Sequence, residues 1–244
     1  MRYGILGDIH GNLSALETVL DLADREGVEK LVSVGDVVGY GAAPSECIRL
    51  LRERKTTVVL GNHDAACVGL LEPTLFNPYA RAAVEWTRTR LSDEEEEWLR
   101  NLPLVARLEH CEVAHGTIAS PELFDYLLSP TDAEPSLAAM DAAVGFVGHT
   151  HVPIAILQFE DEPGRTAYTM DRWVDLSNKS RALINVGSVG QPRDEDPRTA
   201  LAVFDAAEQV YELHRLEYDI DTEARRIRSA GLPTVLADRL FLGV

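Results

Sequence analysis

The first sixty residues set the tightest limit on the fold. Short apolar runs alternate there with amphipathic segments: 2–7, 31–35 and 56–60 read as buried strands, and 12–26 and 44–54 as helices. Within 12–26, Leu13, Leu16, Leu20 and Ala23 recur at helical spacing, which marks one apolar stripe facing a core. Strand–helix alternation builds βαβ units, so at least part of the sheet must be parallel.

The pattern then changes. Segments 78–90 and 93–101 read as two more helices, the second opened by Ser92 and Glu95 in capping-box positions. The acidic run at 93–97 is read as negative charge at the positive end of a helix dipole. From residue 112 strands dominate, at 112–115, 144–148, 153–159, 183–186, 200–205 and 209–217. Residues 161–181 are polar and marked by Gly and Pro, which predicts a hairpin or loop excursion. The tail at 222–242 reads as helical, broken at Gly231 and Pro233. No internal repeat or low-complexity linker appears, so one domain over 1–244 is expected, with a helical C-terminal tail from about 219.

Metal-type side chains cluster at the ends of these strands. Asp8 and His10 follow the first strand, Asp36 the second, and Asn62, His63 and Asp64 the third. His115 closes a later strand, and His149 and His151 follow another. Five of the seven histidines fall in these groups. Loops at the carboxyl ends of strands are where α/β folds assemble their sites. Asp8, His10, Asp36, Asn62, His115, His149 and His151 offer carboxylate, amide and imidazole donors. That mixture suits Mn, Fe, Zn, Co or Ni better than Ca or Mg. Asp36 is the carboxylate expected to bridge two ions.

Other chemistries find no support. The segment VGSVG at 186–190 lacks the Lys-Ser/Thr of a P-loop, and Ser188 lacks the G-x-S-x-G setting of a serine hydrolase. Cys47, Cys67 and Cys111 are odd in number and show no CxxC spacing, which predicts reduced thiols and a cytoplasmic location. No apolar run approaches the roughly 20 residues of a membrane-spanning helix, so no membrane association is expected. His110 and His214 lie outside the clusters and read as solvent-facing. With 23 basic against 40 acidic residues the net charge is −17, which argues against duplex nucleic acid as a partner. It does not exclude a small phosphate ester, because two divalent ions would reverse the local field.

The ordered set D-x-H, GD, GNHD, HG and GHTH resembles the calcineurin-like metallophosphoesterases over residues 2 to about 190. GDVVGYG at 35–41, GHTHVP at 148–153 and NVGSVGQPRD at 185–194 resemble the small prokaryotic phosphodiesterase branch. The resemblance implies an α/β fold with a two-sheet β-sandwich flanked by helices, in four αββα layers. It also implies two divalent transition-metal ions, with manganese favoured. Asp8, His10, Asp36 and His151 would hold the first, and Asp36, Asn62, His115 and His149 the second. His63 matches the family's non-ligand histidine, which as an imidazolium would assist the leaving group. Asp64 would orient His63 or simply hold the turn. Arg193 would touch a substrate group or form a surface salt bridge, and Tyr40 would line the pocket or pack under its loop. The implied activity is hydrolysis of a small phosphate ester by metal-activated hydroxide, a phosphodiester first. A protein serine/threonine phosphatase-like monoesterase and a non-catalytic scaffold of the same fold are the alternatives. The scaffold is weakened by the presence of His63 and all seven ligand candidates.

Overall fold

The computed structural model describes residues 1–162 and 164–244. Its strands and helices follow the order β1 (Arg2–Leu6), α1 (Leu13–Arg25), β2 (Lys30–Ser33), α2 (Pro44–Glu53), β3 (Thr57–Val58) and α3 (Asn62–Cys67). Next come α4 (Pro78–Arg88), α5 (Asp93–Arg100), β4 (Val105–Arg107), β5 (Glu112–Ala114), α6 (Pro130–Ala139) and β6 (Val144–Val147). The second half continues with β7 (Ile154–Phe159), β8 (Thr166–Thr169), β9 (Trp173–Asp175), β10 (Lys179–Asn185), β11 (Thr199–Asp205) and β12 (Val210–Leu216). Helices α7 (Ile220–Ser229) and α8 (Thr234–Asp238) end the fold.

The strands form two mixed six-stranded sheets, ordered β3-β2-β1-β11-β12-β9 and β4-β5-β6-β10-β7-β8. In the first, β1, β2 and β3 are parallel, as the βαβ pattern requires, while β11 runs antiparallel to β1. In the second, β5, β6 and β10 are parallel. Side chains alternate across a strand, and both faces of the first sheet are covered. Tyr3 and Ile5 of β1, with Ala202 and Phe204 of β11, meet Val113, Phe146 and Ile184 of the other sheet. Leu6, Leu201 and Val203 point the opposite way, onto Leu16, Val19 and Leu20 of α1. Leu183 of β10 packs outward on Ala133, Leu137 and Met140 around α6. The layers are therefore helix, sheet, sheet and helix, as the resemblance implied.

Local chemistry accounts for the helix starts. The Asn12 side chain accepts from the Ala15 amide at 3.1 Å, capping α1. Ser92 and Glu95 form the expected capping box on α5, where the Glu95 carboxylate takes the Ser92 amide at 2.7 Å. Two elements have no clear sequence signal. Helix α6 carries Pro130 and Pro135 and a weak apolar stripe, and β4 is only three residues long. The excursion at 161–181 contains β8, which pairs with β7, and β9, which crosses to the far edge of the other sheet; Pro163 lies outside the described residues. The tail is helical and turns at Gly231, where φ is +75°. It folds back so that Ile227, Leu236 and Leu240 pack with Tyr40. His214 corrects an expectation: it is mostly buried, because it lies opposite Leu201 on the face of β11 and β12 that the helices cover. His110 is solvent-facing as read. No helix among the described residues is long and apolar enough to cross a membrane.

Candidate active site

The carboxyl ends of β1, β2, β3, β5 and β6 converge. The first sheet brings Asp8, His10, Asp36 and Asn62, and the second brings His115, His149 and His151; all seven are buried. The backbone is bent sharply to present them. Asp8, His10, Asp36, His149 and His151 all have positive φ, from +35° to +70°. Such a conformation costs about 1–3 kcal/mol for a non-glycine residue and persists only where surrounding contacts impose it. Two glycines permit the close approach. A Cβ on Gly61 would lie 2.1 Å from Asp36 Oδ1, and one on Gly148 would lie 2.4 Å from Asp8 Oδ2.

Three imidazoles are oriented from behind. His10 Nδ1 donates to the Val38 carbonyl at 3.1 Å, His115 Nδ1 to Val34 at 2.9 Å and His151 Nδ1 to Gln191 at 2.6 Å. Each bond fixes the tautomer and leaves an Nε2 lone pair directed inward. His10 Nε2 and His151 Nε2 then face each other at 3.1 Å with no proton between them. His151 Nε2 also lies 3.5 Å from Asp8 Oδ1. On the other side, His115 Nε2 lies 2.9 Å from Asn62 Oδ1 and 3.0 Å from His149 Nδ1. Asp36 Oδ2 sits between the two groups, 3.5 Å from His10 Nε2 and 3.4 Å from His115 Nε2. Facing lone pairs repel unless a cation lies among them. Asp8, His10 and His151 form one group able to hold a metal ion, and Asp36, His115 and His149 form another. The amide oxygen of Asn62 lies beside the second, 2.9 Å from His115 Nε2.

Electrostatics point the same way. Burial pushes Asp8 up to about 7, and burial with the neighbouring Asp64 raises Asp36 well above the carboxylate range. Burial pulls His149 down to about 2 and depresses His10 and His151 strongly. Desolvation disfavours the charged forms of these groups, and a cation held among them would supply the counter-charge the carboxylates lack.

His63 lies beside this cluster. Its ring is 4.4 Å from Tyr40, 4.8 Å from Phe76 and 4.8 Å from His10 between centroids. Its backbone amide donates to Asp36 Oδ1 at 2.8 Å, and its Nδ1 is buried against Gly39 with no hydrogen-bond partner among the described residues. Burial, then Arg193 and His115, hold its pKa well below the usual value. Desolvation thus disfavours the charged form of the ring in this pocket. Asp64 makes no hydrogen bond to the His63 ring among the described residues, and its bonds fit the turn-holding alternative. The Asp64 carboxylate takes the Val38 amide at 3.0 Å and the Gly61 amide at 3.2 Å, so it secures two loops. Arg193 makes no ion pair among the described residues, which sets aside the surface salt bridge. Its Nη2 donates to Gln191 Oε1 at 2.9 Å and reaches the Tyr40 hydroxyl at 3.4 Å, with the guanidinium 5.7 Å from the Tyr40 ring centroid. Tyr40 lines the pocket beside His63, the first of the two uses foreseen for it, and its buried ring packs with the C-terminal tail rather than only under its own loop.

A cavity of about 470 Å³ opens beside His63, Asn62 and His149. Phe76 and Tyr126 form part of its wall, and Tyr126 stacks on His149 at 3.9 Å and 17°. Sequence reasoning missed these aromatics, because segments 70–80 and 119–129 carry no motif and meet only in the folded chain.

Residues 1–209 match the model of the calcineurin-like phosphoesterase superfamily domain. The chain belongs to that superfamily. It is a metallophosphoesterase-type hydrolase. Among solved structures, a metallophosphoesterase from Sphaerobacter thermophilus is 41% identical and superposes with a TM-score of 0.88, covering 100% of this chain and 99% of that one. An uncharacterized protein of Methanocaldococcus jannaschii is 35% identical over 98% of this chain and 97% of its own length. The phosphodiesterase YfcE of Escherichia coli is 28% identical over 64% of this chain and 72% of its own length.

Proposed function

We propose that this phosphoesterase hydrolyses small phosphodiesters at a dinuclear metal centre. The supporting observation is the pair of facing acceptor groups, His10 Nε2 with His151 Nε2 at 3.1 Å and His115 Nε2 with Asn62 Oδ1 at 2.9 Å, joined by Asp36. Asp8, His10, Asp36 and His151 would hold one cation, and Asp36, Asn62, His115 and His149 the other. The donor set favours divalent transition metals, manganese first. When bound, such ions polarise phosphoryl oxygens and lower the pKa of water toward about 7.

The chain's own groups do the rest. A water oxygen bonds to phosphorus, the ester P–O bond breaks, and the leaving oxygen ends as an alcohol. His63, on the cavity wall, hydrogen-bonds that leaving oxygen. Arg193 faces the remaining anionic oxygens. Asp36 couples the two halves, since one oxygen lies between the acceptor groups while the other takes the His63 amide. The diester preference is supported by Glu72 and Asp125 on the cavity lining, which oppose the second negative charge of a monoester. The name of the Escherichia coli relative is in keeping with it. The three cysteines, all buried free thiols, are in keeping with a reducing cytoplasm.

The test uses chelated protein reconstituted with Mn²⁺ and assayed on bis(p-nitrophenyl) phosphate and p-nitrophenyl phosphate. The diester should be hydrolysed faster. His63→Asn should keep two metals per chain and lose about 10²–10⁴ in kcat on esters with poor leaving groups. Absence of hydrolysis, or full activity of His63→Asn on such esters, would overturn the proposal.

A further inference from the structure

The cavity beside His63 has a chemical character that the metal groups do not explain. Its lining carries aromatic rings and two carboxylates. Phe76 and Tyr126 both line it, and Tyr126 is 51% exposed although its ring stacks on His149. One ring face is thus free for a planar ligand. Stacking a nucleobase on an aromatic side chain is worth about 1–3 kcal/mol. Glu72 and Asp125 stand on the same wall, both exposed and, among the described residues, without an ion-pair partner. No Lys or Arg lines the cavity among the described residues. An adjoining cavity shares Asp125 and Tyr126 and adds Asp132, so the negative field extends outward.

These features select among leaving groups. Carboxylates accept hydrogen bonds from ring N–H and exocyclic amino groups, as they do from the cytosine N4 amine. They repel a further phosphate. The volume lies within the roughly 300–1,000 Å³ of small-molecule sites. With His63 on the cavity lining and bonded to the leaving oxygen, as proposed above, the leaving alcohol is the part of the substrate that enters the cavity. We propose that this cavity binds an amino-bearing nucleobase, so that the preferred substrate is a phosphodiester whose leaving alcohol is a nucleoside. This rests on the phosphodiesterase reading above. It adds a discrimination: a polyphosphate-linked nucleoside is disfavoured, because its second phosphate would meet the two carboxylates.

Two measurements on the full chain test it. In the first, the metal-free protein is titrated with adenosine and with purine riboside, which lacks only the exocyclic amine, by saturation-transfer NMR. Adenosine should bind at least fivefold more tightly, and Tyr126→Ala should abolish the difference signal. In the second, the Mn²⁺-loaded enzyme is given adenylyl-3′,5′-adenosine, diadenosine tetraphosphate and bis(p-nitrophenyl) phosphate. The dinucleoside monophosphate should exceed the tetraphosphate at least tenfold in kcat/KM. The double variant Glu72→Gln/Asp125→Asn should lower the ratio of dinucleoside monophosphate to bis(p-nitrophenyl) phosphate about tenfold, chiefly through KM. Equal binding of the two nucleosides, preference for the tetraphosphate, or an unchanged ratio in the double variant would overturn the inference. Selective adenosine binding without hydrolysis of any ester would instead refute the phosphodiesterase reading.

Discussion

Replacing Gly148 by alanine perturbs the candidate centre without removing a single donor atom. The added Cβ would lie 2.4 Å from Asp8 Oδ2 and 2.6 Å from Val34 Cγ2, about 1 Å inside ordinary van der Waals contact. Val34 is fully buried and cannot retreat, so the carboxylate must move. Asp8 is held by the His149 amide at 2.9 Å and 3.2 Å to its two oxygens. A shift of about 1 Å breaks that fork and withdraws Oδ1 from His151. Misplacement on that scale costs about 10²-fold in rate, or about 2.7 kcal/mol of transition-state stabilisation. Overpacking should also cost about 1–3 kcal/mol of folding stability. The assay combines kcat/KM on bis(p-nitrophenyl) phosphate, metal content per chain by mass spectrometry, and thermal melting. We expect one metal per chain instead of two, with the loss at the Asp8, His10 and His151 group. Gly69→Ala is the control, because its methyl would meet nothing within 4 Å although φ is +76°. It should cost about 1–2 kcal/mol of stability and leave the metal count at two. Two retained metals and a kcat/KM within threefold in Gly148→Ala would refute the steric argument.

Three further outcomes follow from the same structure. Metal at about 100 times its dissociation constant should raise the melting temperature by about 5–10 °C, and Asp36→Ala should abolish that shift; calorimetry with and without chelator measures it. The buried Glu112 accepts the Asp141 and Ala142 amides at 2.6 Å and 2.7 Å, so Glu112→Ala should lose about 2–4 kcal/mol in urea unfolding, of which Glu112→Gln recovers at least half. Asp196 is held at about 2 by its bonds to Arg198, at 2.9 Å and 2.7 Å. Its folded pKa lies below the unfolded value, so its contribution is present above about 4 and is lost as pH falls toward 2. Asp196→Asn should therefore cost about 1 kcal/mol or less at pH 7 and only a small fraction of that at pH 2, where the folded carboxylate is about half ionised, read by urea unfolding at both.

Much of the centre was legible because its chemistry is local. Asp8 and His10 are two residues apart, as are His149 and His151, and each pair follows an apolar run that can only be a buried strand. Their donor types and positions already implied a metal. For Asp64 the turn-holding alternative was legible, since its bond to the Gly61 amide is local, but its second bond, to the Val38 amide 26 residues away, was not. Helix α6 was hidden for a different reason: its prolines and weak stripe oppose local propensity, and Leu137 and Ala133 are held by the second sheet. Tertiary packing overrides propensity in such cases.

The sequence by itself determined which donors exist and that each stands at the end of a strand. Periodicity and residue chemistry act over a few positions, and that suffices for both. Only the tertiary structure decided that Asp36 divides its oxygens between the facing groups and the His63 amide, that His63 is buried beside Tyr40 and Phe76, and that Arg193 bonds Gln191 and Tyr40 with no carboxylate partner among the described residues. It alone placed Phe76 and Tyr126 around the cavity. Each of these is a contact between segments far apart in the chain, made when two parallel strand sets bring their loops to one end.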